Sequence, residues 1–235
     1  MIIVHHLNNS RSQRILWLLE ELEVPYQIKA YERTAEGLAP KELLAINPLG
    51  KSPVITDEDL TLAESGAIVE YLIGKYGNGK FQAPTSGPGY LDNLYYSHYA
   101  EGSLMPLLVQ KIIFDMVPSK TPFLLRPIAS MIFSNLTKML LMPSFPKHFS
   151  MESIDKHLEK VQTGWFAGGE EPTSADFQMA FPLEAVVTVA SEMATPAMVK
   201  YVERVQSRQV IHFLFHPFAD LCLQIKFRPA YKRVR

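Results

Sequence analysis

The first residues with chemistry to offer sit in one short turn, Leu7-Asn8-Asn9-Ser10-Arg11-Ser12-Gln13-Arg14, between an apolar run and a helix-like stretch. Hydroxyls and amides at a helix start can cap the free backbone N–H groups or hold an anion, because both roles use the same positive end. The turn contains no thiol. The single cysteine, Cys222, lies far along the chain and excludes an internal disulfide, a CxxC redox pair and a cysteine-based zinc site. His5 and His6 fall inside the apolar run and read as structural, and no cluster has metal-ligand spacing.

These residues need a scaffold, and the chain can build one. It has 235 residues, 47% of them apolar and 20% charged, with a net charge of −1. That suits one large or two small domains with a real core and gives no overall pull towards nucleic acid. The start lacks a basic region followed by a long apolar core, so no secretory leader is expected, and one cysteine suits a reducing, cytoplasmic compartment. The apolar stretch at 123–142 is cut by Arg126 and Lys138, too closely for a membrane span. The basic excess is confined to 201–235, which holds seven basic and two acidic residues and reads as a solvated end.

The order of elements follows from periodicity. Ile2 to Leu7 reads as a strand, and Ile15, Leu16, Leu18, Leu19 and Leu22 as one face of a helix ended by Pro25. Tyr26 to Tyr31 is a second strand, and Lys41 to Ile46 a short helix stopped by Asn47-Pro48-Leu49-Gly50. Val54 to Thr56 and Leu60 to Leu62 form a hairpin, and Glu64 to Tyr76 a helix. Residues 77–89 hold four Gly and two Pro, the mark of a linker. Beyond them a long helix is expected from Tyr90 to Ile113, proline-broken pieces over 117–147, an amphipathic helix from Met151 to Gly164, and a helix opened by the Thr173-x-x-Asp176 capping box. The fold class is α+β: a βαβαββα domain of thioredoxin-like topology over 1–80, a linker at 81–89 and an all-helical domain over 90–208. In that topology the site lies where the first strand meets the first helix. With no cysteine there, a thiol has to arrive with the substrate.

The motifs LNNSRSQRILWLLEEL, NPLGKSPVI, LAESGAIVEYL, YAEGSLMPLL at 99–108 and WFAGGEEPTSADFQMAFPLEA at 165–185 resemble those of cytosolic glutathione S-transferases, in the family's order up to about residue 208. The similarity points to the fungal subgroup related to the endoplasmic-reticulum-associated yeast enzyme. It implies a serine-type, homodimeric detoxification enzyme with glutathione as co-substrate, no other cofactor and a small apolar electrophile. Peroxidase activity is an implied side reaction, and the subgroup implies peripheral contact with the endoplasmic reticulum membrane. Lowering a thiol pKa by two units takes roughly 2.7 kcal/mol, within reach of a hydroxyl donor and a helix end. The resemblance assigns that hydroxyl to Ser10, with Ser12 and Asn9 as alternatives in the same turn. It implies a cis Pro53 that presents the Val54 backbone to glutathione, Glu64 and Ser65 at the γ-glutamyl end, and Lys51 at the glycyl carboxylate. Tyr95, Tyr96, Tyr99 and Glu101 are candidates for the electrophile pocket or the dimer face, while Thr173 and Asp176 are a structural cap. The rival reading is a glutathione-binding or regulatory protein that keeps the fold without efficient catalysis.

One segment departs from the pattern. The apolar stretch within 209–228 separates the usual last helix from the tail Pro229 to Arg235, and removing it rejoins the family pattern. It reads as a translated intron, or else as a genuine apolar extension whose Phe213, Leu214, Phe215 and Phe218 need cover.

Overall fold

The computed structural model describes residues 1–8, 10–144 and 154–208. Asn9, the first residues of the helix expected from Met151, and everything beyond Arg208, including the 209–228 segment, Cys222 and the tail, lie outside the described residues.

Four strands form one sheet in the order β2-β1-β3-β4: β1 (Ile2–Leu7), β2 (Tyr26–Tyr31), β3 (Val54–Asp57) and β4 (Leu60–Ala63). β1 and β2 run parallel, which a crossover helix permits, whereas β1–β3 and β3–β4 are antiparallel. The crossover is α1 (Gln13–Glu21), α2 (Lys41–Leu44) precedes β3, and α3 (Ser65–Tyr76) follows β4. Ile68, Val69, Leu72 and Ile73 repeat at helical spacing and bury the inner face of α3. Ile15 through Leu19 are all buried, so α1 is covered on more than one side. The sheet domain supplies one cover and the second domain the other.

That second domain is helical. α4 (Gly87–Tyr99) and α5 (Met105–Lys120) form one rod interrupted by a π-helical turn at Ala100–Leu104. The expected Tyr90–Ile113 helix is therefore longer at both ends and wider in the middle. Its start at Gly87, with Pro88 in the first turn, also shortens the linker expected to reach residue 89. α6 (Arg126–Leu136) folds back on α5, and α7 (Ile154–Lys160), α8 (Ser174–Val189) and α9 (Pro196–Ser207) complete the described helices.

α8 is the axis of the molecule, packing on α1, α3, α4 and α9. Phe177 lies 4.4 Å from the Trp17 ring and 5.6 Å from Phe81, so one core runs through both domains. The start of α8 carries the capping box expected from sequence. Asp176 accepts the N–H groups of Phe166 at 3.0 Å and Thr173 at 2.9 Å and the hydroxyls of Thr173 and Tyr201. Burial nevertheless raises its pKa to about 6.

The α5–α6 hairpin is the exception to this packing. No residue of α6 is buried, and Phe123 and Leu124 at the tip are 80% and 85% exposed.

Candidate functional site

Ser10 opens on a cleft of about 610 Å³ between the two domains. Its polar wall comes from the first domain, through Ser10, Arg11, Arg33, Lys51 and Ser52. Met105, Val109, Ile112 and Phe181 of the helical domain form the facing apolar wall. The charged lining residues are all cations, which suits a ligand with carboxylates, and the apolar wall suits a second, hydrophobic reactant.

The turn at the base of the cleft separates the two serines by role. Ser12 occupies the N-cap of α1, but its side chain makes no capping bond. It turns instead into the protein, fully buried, where His6 Nδ1 lies 2.6 Å from its Oγ. Ser10 Oγ accepts the backbone N–H of Ser12, the N-cap residue itself, at 3.4 Å. The same oxygen lies 2.9 Å from Ser12 Oγ and 3.2 Å from Ser52 Oγ, and Ser52 donates to the His5 carbonyl at 2.9 Å. Ser10 lines the cleft and Ser12 does not. Period-two alternation sends the adjacent histidines apart: His5 reaches the Tyr31 hydroxyl and Thr56, while His6 reaches Ser12. Burial lowers the pKa of both, that of His6 to about 4, so His6 is neutral at neutral pH.

The NPLGKSPVI segment holds the opposite edge. Asn47 accepts from the Leu49 N–H and donates to the Lys51 carbonyl, folding the turn back on itself. Gly50 has φ +60, and a Cβ there would sit 3.0 Å from Ala39 Cβ and 3.1 Å from Leu44 Cδ2, so this turn requires glycine. The Ser52–Pro53 peptide is cis, the form the resemblance implied. Val54 lies between His5 of β1 and Ala63 of β4. Glu64 follows Ala63 directly and has φ +73, an uncommon backbone for a residue with a side chain. Glu64 is exposed and Ser65, the first residue of α3, is buried. Lys51 joins Ser10 on the cleft wall, whereas Pro53, Val54, Glu64 and Ser65 are outside its lining.

The tyrosines of α4 fall elsewhere. Tyr96 and Tyr99 are buried in an aromatic cluster, with Tyr96 4.5 Å from both His157 and Phe166. Neither lines the cleft, because helix packing turns that face of α4 towards α7 and α8. Tyr95 is exposed, stacks on Tyr99 at 5.5 Å and does not line the cleft. Glu101 takes part in ion pairs with Arg11 at 3.4 Å and Arg14 at 2.6 Å, tying the domains together behind the cleft. Sequence reasoning missed Ser52, although it lies in a recognised motif, and it treated His6 as scaffold. It also missed Met105, Val109, Ile112 and Phe181, whose spacing reads as ordinary helix core. Among the described residues no group of three or more His, Cys, Asp or Glu could hold a metal ion.

Comparison with known proteins agrees with this architecture. Residues 1–73 match the family model "Glutathione S-transferase, N-terminal domain". The chain is 40% identical over 186 residues to glutathione S-transferase 3 of Schizosaccharomyces pombe, covering 79% of this chain and 74% of that protein. It is 29% identical over 218 residues to glutathione S-transferase 1 of Saccharomyces cerevisiae, covering 89% and 92%. A glutathione S-transferase structure from Actinobacillus pleuropneumoniae superposes with a TM-score of 0.65 at 26% identity, over 99% of this chain and 100% of that one. A glutathione transferase from Phanerochaete chrysosporium, solved with oxidized glutathione, shares the fold at 17% identity and a TM-score of 0.66, over 91% and 92%. With its sheet domain, its helical domain and a long match to a curated relative, the chain belongs to the glutathione S-transferase family.

Proposed function

We propose that this chain is a glutathione transferase that holds glutathione against the first domain and an apolar electrophile against α5 and α8. The observation that carries the reading is the two-sided cleft, with Ser10 and three cations on one wall and apolar side chains on the other. Glutathione has two carboxylates for Arg11, Arg33 or Lys51 and an amino group for Glu64. Its thiol releases a proton to solvent, and the Ser10 hydroxyl donates to the resulting thiolate. The sulfur then attacks the electrophile; with an activated aryl chloride, a C–S bond forms and chloride leaves with the electron pair. With a hydroperoxide, two glutathiones are oxidised to their disulfide as the peroxide is reduced to an alcohol and water. The working unit is a homodimer with cytoplasmic access to its substrates. Conjugation of an activated aryl chloride, followed by absorbance, tests the reading. Retention on immobilised glutathione without conjugation would favour the non-catalytic rival.

A second reading concerns location. Among the described residues no helix is long and apolar enough to cross a membrane. The exposed α5–α6 tip, Phe123-Leu124-Leu125, lies between Lys120 and Arg126, and residues 116–144 contain no acidic side chain. Apolar side chains among cations suit peripheral contact with an anionic bilayer, such as the endoplasmic reticulum surface.

A further inference from the structure

We infer that His6 is a positioning residue for the thiolate: acting through Ser12, it orients the Ser10 hydroxyl so that its hydrogen can turn to the sulfur. The inference rests on the transferase reading and on hydrogen accounting along the chain His6, Ser12, Ser10, Ser52, His5. A serine hydroxyl has one hydrogen to donate. The His5 carbonyl can only accept, so the Ser52 hydrogen is committed to it at 2.9 Å. Ser52 then accepts from Ser10 at 3.2 Å, which commits the Ser10 hydrogen. The 2.9 Å contact between Ser10 and Ser12 must therefore be a donation from Ser12. With that hydrogen used, the 2.6 Å contact to His6 must be a donation from Nδ1–H. All four contacts are hydrogen bonds at once only when every donor points one way, from His6 towards the cleft.

This polarity matters at Ser10. Ser12 keeps the Ser10 oxygen supplied as an acceptor, through its hydroxyl at 2.9 Å and its backbone N–H at 3.4 Å, so the Ser10 hydrogen is the one that can leave its partner, Ser52, for a thiolate. Each bond in such a chain strengthens the next, by about 10–30% in condensed-phase estimates. A hydroxyl that is already accepting is a better donor. Burial keeps His6 neutral, with its pKa pushed down to about 4, and the direction of the chain requires its Nδ1–H tautomer. The charged groups around Ser10 are Arg11, Arg33 and Lys51 on the cleft wall, with Arg14 and Glu101 behind Arg11.

The test compares His6→Phe, His6→Asn and Ser12→Ala with Ser10→Ala and with His6→Phe/Ser10→Ala. It measures the pH dependence of kcat/KM and the ultraviolet absorbance of the bound glutathione thiolate. In His6→Phe and Ser12→Ala the apparent thiol pKa should rise by about one unit, a ten-fold fall in thiolate at pH values below it. The KM for glutathione should stay within about two-fold. His6→Asn, whose amide nitrogen can stand near the Nδ1 position, should recover part of the shift, and the double variant should be no worse than Ser10→Ala. If His6→Phe does not fold, Ser12→Ala reads the same link. An unshifted profile alongside a shifted Ser10→Ala profile overturns the relay, as does an additive loss in the double variant. An unshifted Ser10→Ala profile instead overturns Ser10 as the thiolate donor.

Discussion

Arg14 Nη1 lies 2.6 Å from Glu101 Oε1 and 2.5 Å from Gln178 Oε1, so one fully buried guanidinium joins α1 to both the π-helical turn and α8. The domain interface therefore contains a charge whose main ionic partner comes from the other domain. Glu101 keeps 30% of its side-chain surface exposed, which moderates what its loss would cost. Glu101→Ala should lower stability by about 2 kcal/mol, read from the denaturant midpoint. An unchanged midpoint would show that Gln178 alone satisfies Arg14.

The two serines should separate in kinetics and binding. Ser10→Ala is expected to lower turnover ten-fold or more, on the order of 1.4 kcal/mol, while retention on immobilised glutathione survives. Unchanged turnover would move the role to Ser12 or Asn9.

Glu64 offers a test in which binding and stability move in opposite directions. Its φ of +73 costs about 1 kcal/mol, which glycine would relieve. Glu64→Gly should thus hold or raise the melting temperature while weakening retention on glutathione. Normal retention would refute the assignment of its carboxylate to the amino group of the ligand.

The acid side of the stability curve should carry a signature of His6. Its pKa is about 4 in the folded protein against the ordinary histidine value of 6.5 in the unfolded chain, so the unfolded chain takes up the proton first as pH falls. The corresponding stability is present above pH 6.5 and is lost between 6.5 and 4, to the extent of roughly 3 kcal/mol. Asp176 and Glu184, raised by burial to about 6 and about 7, act in the opposite sense over overlapping ranges. The informative quantity is therefore the difference between wild type and His6→Phe. The variant should lose less stability between pH 6.5 and 4, and parallel curves would contradict the buried neutral histidine.

Asp176→Ala should act on folding. It would orphan the buried N–H groups of Phe166 and Thr173, a loss of about 3 kcal/mol, while the Tyr201 hydroxyl keeps the backbone carbonyl of residue 176. Activity per folded molecule should persist; if it falls while the melt is unchanged, the residue is more than a cap.

For the hairpin, Phe123→Ser and Leu124→Ser together should leave the melt unchanged, since both side chains are exposed. Co-sedimentation with phosphatidylserine vesicles should fall. Wild-type protein that stays in the supernatant would remove the membrane reading.

The order of elements, a sheet domain followed by a mostly helical remainder, and the turn chemistry were legible in the chain alone, because these depend on local pattern. Period-two and period-3.6 runs set β1 to β4 and α1 to α3, the Thr173–Asp176 spacing set a helix start, and Asn47 to Gly50 set the turn beside the site. Whatever depended on distant neighbours was settled by the packing of the folded chain. Ser10 and Ser12 are alike in sequence, and only the position of His6 in β1 draws Ser12 inward and leaves Ser10 on the cleft. Tyr96 and Met105 lie along one rod, and only packing in the folded chain sets one in an aromatic cluster with His157 and Phe166 and the other on the cleft wall. The apolar residues of α6 match those of a core helix in type, yet remain exposed because among the described elements α6 packs mainly on its own hairpin. Hydrophobic pattern specifies which residues gain from cover, whereas the cover itself comes from elements far apart in the chain.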